Sequence, residues 1–161
     1  AQADRAVLDV LQMVGCKIRQ DKEDILAEKQ DLRGFDWDAT HAPDLFPPLA
    51  VLAAYCKGIS HIRGVSRLHN KESDRAAVLM KMFEQLGISI FCKGDVMSIE
   101  GGRPRGATVD AHGDHRMAMA AAIAALDADG SVSITGAEAV NKSYPGFFDD
   151  LEKITTQTPE K

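Results

Sequence analysis

The chain repeats itself. Asp4-Arg5-Ala6-Val7 opens an amphipathic run that ends at Gly15, and Asp74-Arg75-Ala76-Ala77 opens another that ends at Gly87. The two openings lie seventy positions apart, and so do Asp44 and Asp114 further along each copy. Both runs carry apolar residues at helical spacing, and each glycine supplies a helix stop. Two short β-like segments follow each stop, at residues 16–19 and 24–27 and at residues 88–92 and 96–100, and they read as hairpins. A polar loop then leads to Pro43-Asp44 or Gly113-Asp114. A second apolar helix begins there, runs to Gly58 or Gly130, and gives way to a strand at 59–63 or 131–135.

The unit is therefore helix, hairpin, helix, strand, over about 4–66 and again over 70–136. Asn141-Lys142 echoes Asn70-Lys71 and starts a partial third unit, 137–161, with one helix near 146–154. Stacked units bury their faces only against neighbours. The expectation is an α/β chain cut from a larger repeat protein, and an opening Ala1-Gln2 without Met agrees with that.

The chemistry-bearing residues gather where loops become helices. Asp114-His115-Arg116 precedes the run from Met117 to Leu126, which holds neither breakers nor polar residues. A cation opposes the dipole at a helix start, so Arg116 makes better sense if an anion arrives there. Lys71 and Arg75 are spaced to share one side of another helix start, with Glu72 between them, and Lys142 marks a third junction. Equivalent junctions of a repeat lie at one end of the domain, so these cations would form an anion pocket on one rim.

Two plainer readings stand beside this one. Lys71 can pair with Glu72 in a solvated helix start capped by Ser73 or Asp74, and Asp44 can be the N-cap of the helix containing Pro47 and Pro48. Carboxylates beside cations can also shuttle protons, and a histidine titrates near neutrality. Spacing leaves open which carboxylate donates and which accepts.

Other classes are disfavoured. A net charge of −5 argues against nucleic acid or an anionic membrane as main partner. No apolar run reaches spanning length. Cys16, Cys56 and Cys92 lack CxxC spacing and read as reduced structural thiols of a cytoplasmic protein, and the five histidines show no zinc-type spacing. Met80, Met82, Met117 and Met119 read as core filling, residues 35–37 as an ordinary strand and turn, and Gly101-Gly102 has no nucleotide-loop context. No metal or other cofactor is expected.

The strings Asn70-Lys71-Glu72-Ser73-Asp74-Arg75, Gly113-Asp114-His115-Arg116-Met117-Ala118-Met119 and Asn141-Lys142-Ser143-Tyr144-Pro145-Gly146-Phe147 together resemble the 5-enolpyruvylshikimate-3-phosphate synthases. The resemblance spans nearly all 161 residues and points to the C-terminal part of such an enzyme. It implies two domains of βαβαββ units, with helices buried inside and sheets outside, like an inside-out α/β barrel. It implies transfer of the enolpyruvyl group of phosphoenolpyruvate to the 5-hydroxyl of shikimate 3-phosphate, through a tetrahedral intermediate, in the route to chorismate and aromatic amino acids. Substrates would sit between this domain and an N-terminal domain, so the 161 residues alone would be inactive.

Carried over by motif, Asp44 resembles the carboxylate that binds shikimate 3-phosphate and takes its hydroxyl proton. Glu72 resembles the group that exchanges the methylene proton. Lys71 would contact the shikimate substrate, with Arg67 standing where the family often has Asn. Arg75, Arg116 and Lys142 would hold phosphoenolpyruvate, with His115 lining the pocket, and glyphosate would compete there. UDP-N-acetylglucosamine enolpyruvyl transferase shares the implied fold but suits these strings less well. A non-catalytic anion-binding repeat module is the alternative from another class.

Overall fold

The computed structural model describes residues 5–22, 24–69 and 71–156, so the expected unit openings at Asp4 and Asn70 lie outside the described residues. Helix α1 (Ala6–Met13) leads into the antiparallel hairpin of β1 (Lys17–Gln20) and β2 (Ile25–Glu28). Strand β3 (Asp36–Asp38) follows, then a 3-10 turn (Pro43–Leu45), helix α2 (Phe46–Ala54) and strand β4 (Ile59–Arg63). After a second 3-10 turn (Val65–Leu68) the order recurs: α3 (Arg75–Gln85), β5 (Ile90–Lys93), β6 (Val96–Glu100), β7 (Arg105–Asp110), α4 (His115–Ala125) and β8 (Asp129–Thr135). A third 3-10 turn (Ala137–Lys142) and α5 (Phe147–Thr156) complete the described chain.

The repeat holds more strands than its pattern suggested. β3 falls on the strand and turn read at residues 35–37, although the repeat pattern left it out, and β7 lies within the stretch expected to be a polar loop. Each pairs in parallel with the strand beyond the next helix, β3 with β4 and β7 with β8. The two connections β3–α2–β4 and β7–α4–β8 are therefore crossover units, in which a helix returns the chain to the same sheet edge. The central sheet has order β3-β4-β6-β5, flanked by the two-stranded sheets β1-β2 and β7-β8.

From β3 through β6 the chain reads strand, helix, strand, helix, strand, strand. That order is the βαβαββ unit in full. The helix, hairpin, helix, strand order also holds from α1 to β4 and from α3 to β8, with one strand added before the second helix of each.

Burial follows the periodicities. β4 alternates exposed and buried, with Ser60 and Ile62 turned inward. Ser60 Oγ accepts from the Phe35 N–H at 3.2 Å, so the buried hydroxyl is satisfied. On α4, Met117, Ala118, Ala120, Ala121, Ala122 and Ala124 are all buried, and small side chains let that helix pack closely against its neighbours. Phe46, Leu49, Leu79, Met82, Phe83, Ile62 and Met97 fill the core, while Met80 and Met119 pack at its edge.

Gly15 and Gly87 take φ of +107° and +73° just past α1 and α3, the positive values their stop role requires. Gly130 does not end α4. That helix stops at Ala125, capped by Leu126, and Gly130 lies inside β8.

The three cysteines are free thiols, and burial pushes the Cys56 thiol up to about 11. No helix among the described residues is long and apolar enough to cross a membrane.

Candidate active site

Two helix starts and two 3-10 turns build the site. At the start of α3, Asp74 caps the helix by accepting from the Ala77 N–H at 3.2 Å. Its neighbour Arg75 points inward and is only 3% exposed. At the start of α4, Asp114 caps by accepting from the Arg116 N–H at 3.0 Å, with its side chain sealed from solvent.

These two buried charges meet. Arg75 Nε donates to Asp114 Oδ2 at 2.7 Å and Nη2 reaches Oδ1 at 3.4 Å, a side-on pairing. Ser73 Oγ donates to the same Oδ2 at 3.0 Å. A buried carboxylate is tolerable only when its oxygens are satisfied in this way.

The third group comes from the turn before α2. Asp44 Oδ1 accepts from Arg75 Nη1 at 2.8 Å and Oδ2 from Arg116 Nη2 at 3.0 Å, while Lys71 Nζ lies 3.8 Å away. The reading of Asp44 as the N-cap of α2 is corrected here. Leu45 occupies the cap position, because the 3-10 turn runs directly into the helix and carries Asp44 one residue too early. The Asp44 carboxylate is therefore free to face the cations.

Burial raises the Asp44 carboxyl, yet Arg116, Arg75 and Lys71 together hold it below the usual aspartate range. Asp114 behaves alike. Burial opposes its charge, but hydrogen bonds and attraction from Arg75, with Ser73 and the Arg116 N–H, keep it lowered. Arg75 is raised in turn. Desolvation works against its charge and the two aspartates outweigh that.

Beside this network sits a second one. Glu72 Oε2 lies 3.1 Å from His115 Nδ1 and 3.8 Å from Lys142 Nζ. Lys142 Nζ also donates to the Gly113 carbonyl at 2.6 Å. His115 and Arg116 are consecutive on α4, so the two networks adjoin. Glu72 thus pairs with His115 and Lys142, where the plain reading had Lys71 as its partner.

Ligand atoms of Glu72, Asp114 and His115 lie within 4.8 Å of one another, a grouping that could in principle hold a metal ion. Arg75, Ser73, the Arg116 N–H and Lys142 already engage its carboxylates, which makes it a charge-paired cluster rather than an open ligand set.

The expected residues are brought together in two groups, with one left out. Lys71, Arg75 and Arg116 meet at Asp44, while His115 and Lys142 meet at Glu72. Arg75 is the least accessible of the cations, since all three of its nitrogens face carboxylates. Arg116 and Lys142, with side chains 34% and 56% exposed, remain reachable from solvent. Arg67 is exposed on the turn Val65–Leu68, and no hydrogen bond or ion pair among the described residues joins its side chain to the cluster.

Two openings adjoin these groups. One of about 400 Å³ is lined by His69, Lys71, Glu72, Ser73 and Asp74. Another of about 170 Å³ has Asp44 and Arg116 above Pro48, Val51, Met119, Ala120 and Ile123. A larger opening of about 460 Å³ over β3 and β4 shares no residue with either group, so volume does not mark the chemistry here.

Comparison with known proteins fits this geometry. A family profile described as EPSP synthase (3-phosphoshikimate 1-carboxyvinyltransferase) matches residues 1–151. The chain belongs to the EPSP synthase family. It is 44% identical over 153 residues to the 3-phosphoshikimate 1-carboxyvinyltransferase of Thermococcus kodakarensis, covering 95% of this chain and 38% of that protein. The enzyme of the same name from Methanocella arvoryzae is 44% identical over 155 residues, with 95% and 37% covered.

Among solved structures, the EPSP synthase of Acinetobacter baumannii superposes with a TM-score of 0.82 at 27% identity, covering 92% of this chain and 38% of that one. The enolpyruvyl transferase NikO of Streptomyces tendae shares the fold, with a TM-score of 0.72 at 24% identity over 93% of this chain and 36% of its own. The chain thus spans well under half the length of the relatives it matches.

Asp114 is the functional candidate that sequence reasoning passed over. In the sequence it marks a helix junction, and Arg116 beside it carries the anion argument. The signal available was the recurrence of Asp at equivalent junctions, Asp44 and Asp114, each before an apolar helix.

Proposed function

We propose that the full-length protein containing this chain transfers the enolpyruvyl group of phosphoenolpyruvate to the 5-hydroxyl of shikimate 3-phosphate, releasing phosphate. The observation that carries this reading is the pairing of two carboxylates with cations at adjoining helix starts, in a member of the EPSP synthase family. Asp44 sits among Lys71, Arg75 and Arg116, and Glu72 sits with His115 and Lys142.

In this reading Asp44, kept ionised by its cations, accepts the 5-hydroxyl proton as that oxygen attacks C2 of phosphoenolpyruvate. The double bond takes a proton at C3 from Glu72, helped by His115, which gives a tetrahedral intermediate. Phosphate then leaves C2 with the proton that Asp44 took up, and return of a C3 proton to Glu72 restores the enolpyruvyl double bond. Arg116 and Lys142 hold phosphoenolpyruvate with His115 beside them, and Arg75 joins as the arriving anion displaces Asp44 from its outer edge. Lys71, Arg67 and Asp44 meet shikimate 3-phosphate, and glyphosate competes for the phosphoenolpyruvate seat.

The same reading takes residues 1–161 as an incomplete C-terminal domain with units at about 4–66, 70–136 and 137–161. An N-terminal domain of the same cytoplasmic enzyme supplies the opposite wall of the cleft. Both reactants must be held in attack geometry, so the isolated chain turns nothing over.

Phosphate release by the full-length protein tests this. Release that requires both phosphoenolpyruvate and shikimate 3-phosphate supports the reading. Release with UDP-N-acetylglucosamine instead moves the assignment to the related transferase, and anion binding without turnover favours a non-catalytic module.

A further inference from the structure

We propose that Asp114 is a positioning residue that grips one edge of the Arg75 guanidinium, so that a single N–H donor is presented to Asp44. This rests on the transferase reading above. Arg75 has three donor nitrogens in a fixed plane. Asp114 takes two of them, Nε at 2.7 Å and Nη2 at 3.4 Å, which leaves Nη1 to meet Asp44 at 2.8 Å.

Asp114 is itself fixed from two helices. Ser73 Oγ, two residues before α3, donates to it at 3.0 Å, and the Arg116 N–H on α4 donates at 3.0 Å. Its side chain is closed to solvent, so it touches no reactant and acts only through its neighbours. One carboxylate thereby sets both the plane of Arg75 and the start of the helix that carries His115 and Arg116.

The charges around Asp44 make the role measurable. Lys71, Arg75 and Arg116 face Asp44, while Asp114 neutralises the far side of Arg75, with Glu72 and His115 close behind it. Removing the Asp114 charge leaves Arg75 committed to Asp44 alone. The Asp44 carboxylate is then held more strongly in its ionised form.

Asp114→Asn keeps the size and the capping oxygen but removes the charge. Asp114→Glu keeps the charge but shifts the grip by one methylene. In the full-length protein, Asp114→Asn should move the acidic limb of the kcat/KM profile to lower pH, by about half a unit. It should also raise KM for phosphoenolpyruvate about tenfold. Asp114→Glu should lower kcat/KM with the limb unmoved.

A purely structural Asp114 predicts lower thermal stability in both variants with an unshifted limb, and that result overturns the proposal. NMR of the Arg75 Nε–H supplies a readout independent of turnover. It should be slow to exchange in wild type and in the Ser73→Ala variant, and exchange at least tenfold faster in Asp114→Asn. Equal exchange in all three also overturns the proposal. If the wild-type protein transfers no enolpyruvyl group, the functional reading fails, and the Arg75 signal still decides the positioning claim.

Discussion

Arg75 and Asp114 form an ion pair sealed from solvent, with Nε 2.7 Å from Oδ2 and side-chain exposures of 3% and 0%. The two residues start different helices and lie thirty-nine positions apart. Their pairing fixes the starts of α3 and α4 against each other, and through Arg75 Nη1 it also holds Asp44.

Removing one partner should therefore cost far more than a surface bridge. Arg75→Met strands Asp114 without its counter-charge in a buried site, and losing one member of a buried pair costs about 3–5 kcal/mol. Lys57→Met breaks the exposed, solvent-screened pair with Asp31 and should cost far less. Urea midpoints of the two variants in the full-length protein measure the contrast. Equal losses would mean that the buried pair contributes no more than the exposed one.

Acid should unfold the region through the same groups. Asp114 and Asp44 are both lowered in the folded state, against about 3.9 for an unfolded aspartate. A lowered carboxylate stabilises the fold above the unfolded value, and that stability is lost as pH falls through the folded one. Urea midpoints taken from pH 6 down to pH 3 should fall steeply below about pH 4. Asp114→Asn should flatten that fall while starting from lower stability. An unchanged slope would show that Asp114 keeps its ordinary acidity.

Glu72 separates mechanism from surface pairing. Glu72→Gln in the full-length protein keeps size but removes the transferable proton, so kcat should drop about 10²–10⁴-fold. Affinity for phosphoenolpyruvate should change much less, because Arg116 and Lys142 remain. A side chain that merely pairs with His115 and Lys142 would contribute at most about 1 kcal/mol of stability, with kcat preserved.

Much of this was legible in the residues. The helices and hairpins announced themselves through apolar spacing and glycine stops, and the strings around Glu72, Arg116 and Lys142 pointed to the family. β3 was visible as a short strand at residues 35–37, but three residues carry too little periodicity to place it in the repeat. β7, with the sequence Arg-Gly-Ala-Thr-Val-Asp and only Val109 fully buried, reads as loop until its parallel partner β8 is known. The burial of Arg75 was equally hidden. Its spacing from Lys71 placed it at a helix start, but only the partner on α4 turns it inward. Local patterns record local structure, whereas a buried ion pair is a property of two distant segments.

The central claim is that this chain supplies the carboxylates for an addition–elimination on phosphoenolpyruvate. The direct test is to run the full-length protein in deuterium oxide with phosphoenolpyruvate and shikimate 3-phosphate, and to weigh the product by mass spectrometry. Protonation at C3 followed by loss of a methylene proton predicts deuterium in the enolpyruvyl methylene, beyond any exchange of unreacted phosphoenolpyruvate in enzyme-free controls. Product that forms without methylene deuterium, or no product at all, would contradict the account.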